Sequence, residues 1–183
     1  MSKKVYIFLA DGFEDIEGLT VVDLMRRAGI TITTVSIKNT KQITTAHGIT
    51  MLTDITFCEA DFTDADMLVL PGGQPGTTHL GEFQPLTDLV KNFYNNGGKI
   101  AAICAAPTVF AKIGLLHGKK ATAYPACMEG LGDAVRLEEQ VVIDGNITTS
   151  RGLGTAIDFG LSLISQLLGQ EKADQIAESV VYK

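Results

Sequence analysis

The sequence predicts an α/β protein, an open and mostly parallel sheet with helices between its strands. Two observations carry this. Short apolar, β-branched runs recur along the chain, and most are followed by a segment whose apolar residues return every three to four positions. Strands alternating with helices in this way build a parallel sheet. A third observation concerns placement. Ligands in such sheets bind beyond the carboxyl ends of the strands, near the switch in strand order. Glu17, Gly72-Gly73 and Cys104 all fall at or just after predicted strand ends.

Lys4 to Ala10 is a β-branched and aromatic strand, broken by Asp11-Gly12. A helix runs from near Glu14 to Arg27 and is closed by Gly29; Val21, Leu24, Met25 and Ala28 share its buried face. Glu17 lies one turn before Val21 on that face. The helix dipole explains acidic residues in a first turn, and this serves for Glu14 and Asp15. An inward carboxylate at Glu17 instead needs a partner or a raised pKa. Ile30 to Ile37 alternate like a strand, and Gln42 to Thr53 read as a hairpin turning at His47-Gly48. Asp61 to Asp66 form a polar connection. Met67 to Leu70 is a strand ending in Pro71-Gly72-Gly73, where successive glycines suit either an ordinary turn or a small anion nest. One helix follows, with Leu86, Leu89, Val90 and Phe93 on a face and Gly97-Gly98 at its end.

Lys99 to Cys104 read as a buried strand, and the chain turns helical from Ala105, with Pro107 suited to the first turn. Cys104 therefore sits at a strand-to-helix corner between Ala102 and Ala106, the geometry of a nucleophile elbow. A helix N-terminus there would lower the thiol pKa; the same corner equally suits a buried cysteine that only fills space. Lys120 to Tyr124 is a strand halted by Pro125, Cys127 to Ala134 a short helix, and Val135 to Ser150 a two-stranded passage turning at Asp144-Gly145. Thr149 to Thr155 lead into the longest helix, whose face holds Ala156, Phe159, Gly160, Leu163 and Leu167. A last helix gathers Ala173, Ile176, Ala177 and Val180.

Residues 1–183, 45% hydrophobic with 19 Gly and no Trp, read as one domain with a sizeable core. The net charge of −6 argues against binding a nucleic-acid backbone or an anionic membrane surface. No run is long enough to span a membrane, and the apolar start of the chain is too short for a signal peptide. Three cysteines, Cys58, Cys104 and Cys127, form neither a disulfide framework nor a metal-ligand pattern. A reducing cytoplasm is the expected setting. The scattered His47, His79 and His117 suggest no metal site, and no glycine-rich phosphate fingerprint follows the first strand.

Five motifs then point to a family. They are Glu14-Asp-Ile-Glu17, Met25-Arg-Arg-Ala-Gly-Ile30, Val69-Leu-Pro-Gly-Gly73, Ala101-Ala-Ile-Cys-Ala-Ala-Pro107, and Thr149-Ser-Arg-Gly-Leu-Gly-Thr-Ala-Ile-Asp-Phe159. In this order and over nearly the whole chain, the sequence resembles the ThiJ/PfpI superfamily, and most closely the branch of the parkinsonism-associated deglycase. The resemblance implies a flavodoxin-like three-layer sandwich, with helices on both faces of a mostly parallel central sheet, and a homodimer. It implies that Cys104 matches the nucleophile and Glu17 the acid that hydrogen-bonds its sulfur. Gly72, Gly73 and the N–H of Ala105 match the adjacent backbone donors. Close relatives carry a histidine where this chain has Tyr124, a weak base at neutral pH that can still donate a hydrogen bond. The protease-like branch carries a histidine where this chain has Ala105, so a Cys–His hydrolase is disfavoured. Leu153 stands where some relatives have proline.

Two functions follow as expectations. One is a cofactor-independent glyoxalase or deglycase, in which a Cys104 thiolate adds to the aldehyde of a methylglyoxal-type dicarbonyl, free or as a protein adduct. Glu17, protonated near neutrality, would shuttle the proton. The other is a redox-sensing or chaperone-like stress protein whose Cys104 is reversibly oxidised.

Overall fold

A computed structural model describes residues 2–182. Its elements in chain order are β1 (Lys4–Leu9), α1 (Asp15–Arg27), β2 (Thr31–Ser36), β3 (Gln42–Thr44), β4 (Thr50–Leu52), β5 (Ile55–Thr56), β6 (Met67–Leu70), α2 (Gly76–Glu82), α3 (Gln84–Asn95), β7 (Lys99–Ile103), α4 (Pro107–Lys112), β8 (Lys120–Ala121), β9 (Val135–Arg136), β10 (Val141–Asp144), β11 (Ile147–Ser150), α5 (Ala156–Leu168) and α6 (Gln170–Ser179). The central sheet has seven strands in the order β10-β11-β7-β6-β1-β2-β5. Every pairing in it is parallel except β10 with β11.

Period-two alternation along β1 builds the two sides of the sheet. Val5, Ile7 and Leu9 face one core with Val21, Leu24 and Met25 of α1 and Phe159 and Leu163 of α5. Tyr6, Phe8 and Ala10 face the other with Leu80 of α2, Leu86 and Val90 of α3 and Phe110 of α4. The result is the expected α/β sandwich, a mostly parallel sheet with helices on both faces. The order of strands reverses between β1 and β6, so the loops leaving these two strands flank a crevice at the carboxyl edge.

Several local expectations change. The single helix expected after Gly73 is two, α2 and α3, broken at Phe83. Strand β5 and the 3-10 turn Phe57–Glu59 were not anticipated; the turn is fixed by Glu59, whose carboxylate accepts from the Thr56 N–H at 2.7 Å. The strand expected to reach Tyr124 ends at Ala121, because the next two amides bond to side chains. Thr122 N–H donates to Thr149 Oγ1 and Ala123 N–H to Met128 Sδ. The helix expected over Cys127 to Ala134 is a 3-10 segment over Pro125–Leu131. Val135–Arg136 leave the expected two-stranded passage to pair with Lys120–Ala121, while β10 and β11 do form the hairpin turning at Asp144-Gly145. No helix among the described residues is long and apolar enough to cross a membrane.

Candidate functional site

Four loops leaving the carboxyl ends of β1, β6, β7 and β11 meet around Cys104. The β7 strand stops at Ile103, and Cys104 takes a left-handed backbone conformation with φ of 65°. A non-glycine residue held there costs on the order of 1–3 kcal/mol and persists only where its surroundings enforce it. They do so from both sides: Cys104 N–H donates to Ser150 O at 3.0 Å, and its carbonyl accepts from Tyr124 N–H at 2.9 Å. Fully buried Ala102 and Ala106 let strand and helix close around the corner. The elbow expected from the sequence is present.

Glu17 faces inward as its spacing requires, with 1% of its surface exposed. One carboxylate oxygen accepts from Gly72 N–H at 3.1 Å, and the Leu153 N–H and the Cys104 thiol also bond to the group. Burial dominates, and with some help from the nearby Glu14 charge it raises the Glu17 pKa to about 7. The Cys104 thiol is pushed up to about 12, first by burial, then by the Glu17 charge and by hydrogen bonding to that carboxylate. The N–H groups of Gly73 and Ala105 face the sulfur and pull the other way. This corrects the expectation of a thiol lowered by a helix dipole. Helix α4 has only six residues and starts at Pro107, so its dipole is short and lies beyond the corner. The upward shift expected for Glu17 is present, with burial as its largest cause and a pKa of about 7, near the working pH.

The expected glycine pair divides its work. Gly72 gives its amide to Glu17, whereas Gly73 presents its amide to Cys104. A Cβ on Gly72 would come within 2.5 Å of both Cys104 Cβ and Glu17 Oε2, and one on Gly73 would collide with the backbone of Gly12 to Glu14. Only glycine lets the β6 loop pack this closely on the β1 loop. Tyr124 is half exposed at the rim, with its ring beside Gly152. Two contributors escaped the sequence reading, Gly152 and the amide of Leu153. Both follow the carboxyl end of β11, so the strand-end rule pointed to their loop without singling them out.

His47, unassigned from the sequence, lies on the β3–β4 turn. Its Nδ1 is 2.5 Å from Asp15 Oδ2 and 3.7 Å from Glu14 Oε2. The hydrogen bond to Asp15, followed by the charges of Glu14 and Asp15, raises the His47 pKa. At Asp15, burial pushes upward, but hydrogen bonding to Thr45 and His47 wins and leaves the carboxyl below its usual range. Among the described residues, Glu14, Asp15 and His47 are the one group whose ligand-type atoms converge, within 4.8 Å of one another. Cys104 and Glu17 stand outside that group.

Residues 3–166 match the DJ-1/PfpI family. "Protein DJ-1 homolog B" of Arabidopsis thaliana is 42% identical over 186 residues, which cover 100% of this chain and 42% of that protein. The chain thus spans less than half the length of the two Arabidopsis relatives it matches. "Glutathione-independent glyoxalase DJR-1.2" of Caenorhabditis elegans is 30% identical, covering 89% of this chain and 87% of that protein. The crystal structure of Drosophila melanogaster DJ-1beta superposes with a TM-score of 0.96 at 37% identity, covering 100% of both chains. A strained cysteine at the end of β7, an inward glutamate from α1, and a match that runs through both loops lead to one conclusion: the chain belongs to the DJ-1/PfpI family.

Proposed function

We propose that the protein is a cofactor-independent, cysteine-dependent glyoxalase that converts methylglyoxal-type dicarbonyls, free or as protein adducts, into 2-hydroxy acids. The observation that carries this reading is the Glu17–Cys104 pair, a buried carboxyl with a pKa of about 7 bonded to the half-buried thiol of a strained residue. A general base works best when its pKa lies near the working pH. Ionised Glu17 takes the thiol proton as the sulfur attacks the aldehyde carbon. A C–S bond forms, the carbonyl π pair moves to oxygen, and the Gly73 and Ala105 amides are within the site to offset the new charge. Glu17 returns the proton to that oxygen, giving a hemithioacetal. Loss of the proton on the former aldehyde carbon and protonation at the neighbouring ketone carbon yield a thioester of the hydroxy acid. Water cleaves the thioester, releasing acid and thiol. The aldehyde carbon is oxidised and the ketone carbon reduced within one substrate, so no external oxidant or reductant enters. The name of the C. elegans relative is in keeping with this chemistry.

The test is lactate formation from methylglyoxal in the presence of a phosphine reductant and without glutathione. Wild type should form lactate, Cys104→Ser none, and Glu17→Gln about 10²–10⁴-fold less than wild type. Wild type no faster than Cys104→Ser would overturn the proposal. A redox-sensing role is favoured by a different observation, the placement of Tyr124 rather than a histidine at the rim. Mild peroxide should then convert Cys104 to a sulfinic acid, held by protonated Glu17. Mass spectrometry of wild type and Glu17→Gln should show different product distributions, and identical ones would remove Glu17 from that role.

A further inference from the structure

The cluster of Glu14, Asp15 and His47 takes no part in the cysteine chemistry. Its carboxylates stand on fixed backbone. Glu14 precedes the first turn of α1 and Asp15 opens it, and the Glu14 N–H donates to Gly72 O at 2.9 Å. Its imidazole comes from the β3–β4 turn, which the Ala46 amide holds against Phe13. The side chains of Asp15 and Glu14 are 8% and 15% exposed, that of His47 62%. Hydrogen bonding in the cluster is incomplete. Asp15 Oδ1 and Glu14 Oε1 are closed off from solvent, and neither has a hydrogen-bond partner. Thr45 and His47 bond to the Asp15 carboxyl yet leave that oxygen without one. A buried carboxylate oxygen left in this way is costly. Charge is incomplete as well. Among the described residues no lysine or arginine pairs with either acid, and His47 is the partner of both. One imidazolium cannot neutralise two carboxylates, whereas a dication beside a neutral imidazole can.

We infer that Glu14, Asp15 and His47 form a binding site for a divalent metal ion of the zinc class. Imidazole with two carboxylates is a donor set that zinc takes as three protein ligands plus a water. The ligand-type atoms lie within 4.8 Å of one another. Around a tetrahedral zinc they would be about 3.3 Å apart. That closure falls on the exposed His47 ring, which exchanges its 2.5 Å bond to Asp15 for the metal. Its solvent side leaves room for the water. The ion would fasten the β3–β4 hairpin to α1 through three bonds in place of one. Spacing along the chain did not reveal this set, because His47 is 32 positions from Asp15. The site is independent of the dicarbonyl reading, since Cys104 and Glu17 lie outside it.

The experiment titrates zinc chloride into the full chain carrying Cys104→Ser, so that this thiol does not compete. Calorimetry should give one zinc per chain. In proton NMR the His47 ring signals should shift or broaden, and those of His79 and His117 should not. Adding His47→Ala or Glu14→Gln should weaken binding at least about tenfold. Adding His117→Ala, whose ring faces exposed Asp133, should leave it unchanged. Zinc should also raise the urea midpoint of the parent protein more than that of the His47→Ala protein. Equal zinc affinity with and without His47→Ala would overturn the inference. A His117 ring that responds before His47 would do the same, as would no heat and no ring shift at about 1 mM zinc. If Glu14→Gln fails to fold, the exposed His47 substitution and the ring signals decide the matter.

Discussion

Two residues, Cys104 and Glu17, titrate as one unit, and most of the chemistry follows from that. Burial opposes charge on either, and a charge on one opposes a charge on the other. The first proton leaves at about pH 7 and the second at about 12. Labelling of Cys104 by iodoacetamide should therefore rise with pH through a midpoint near 7, as Glu17 becomes able to accept the thiol proton, and Glu17→Gln should lose that midpoint. A pH–rate profile with peptide mapping checks this; an identical profile in both proteins would separate Glu17 from thiol activation. Stability should respond as well. The Glu17 pKa rises from 4.5 in the unfolded chain to about 7 in the fold. Between those values the native state holds the extra proton. The contribution is therefore complete below the unfolded value and is lost as pH rises through about 7. Its size is on the order of 3 kcal/mol for a group this buried. Urea midpoints from pH 4.5 to 8 should fall in wild type relative to Glu17→Gln, and parallel curves would contradict the assignment.

At the scale of elements, the site depends on loops that bond to one another. The loop between β11 and α5 is the clearest case. Thr155 Oγ1 lies 2.7 Å from Ser150 Oγ and accepts from Gly152 N–H at 3.1 Å and Arg151 N–H at 3.3 Å. One hydroxyl thus anchors the segment that presents Gly152 and the Leu153 amide to Cys104 and Glu17. Thr155→Val keeps the shape and removes the acceptor, leaving two backbone donors without it. Destabilisation of about 1–3 kcal/mol is expected from urea denaturation. The proposed activity should fall more than global stability alone explains, because the loop drifts from Glu17. Full activity in a destabilised Thr155→Val would mean that the loop holds the fold and not the site. Likewise the β3–β4 hairpin is tied to the start of α1, through Ala46 N–H to Phe13 O at 2.8 Å and through His47 to Asp15.

At the scale of the whole molecule, the tied hairpin has a second consequence. Ile16 and Leu19 on the outer side of α1 are 47% and 36% exposed, and Ile49 and Leu52 of the hairpin 54% and 72%. We propose that two copies pair through these exposed apolar side chains, as the family resemblance implies. Light scattering should give twice the 19.5 kDa of one chain, and Leu19→Glu should shift it toward the single-chain mass. A wild type with single-chain mass at micromolar concentration would rule the pairing out.

Much of this architecture was written locally. The β-branched runs, the three-to-four-residue periods of α1, α3 and α5, and the closing glycines depend on neighbours in sequence, so β1, β2, β6, β7 and the major helices could be read directly. Cys104 and Glu17 were legible for the same reason, one as a corner between two periodicities and the other as a charge on an apolar stripe. What stayed hidden depends on partners far away in the chain. Strand β8 stops at Ala121 because Thr149 and Met128 take the next amides. His47 finds Asp15 across 32 positions. The raised pKa of Cys104 comes from burial beside a carboxylate 87 positions earlier, which overrules the short helix that follows it. Sequence alone determined the strand and helix periods and the pair of residues that face the crevice. Only the tertiary structure decided how far each is desolvated and which backbone amides each receives, since both arise when distant loops close on one another.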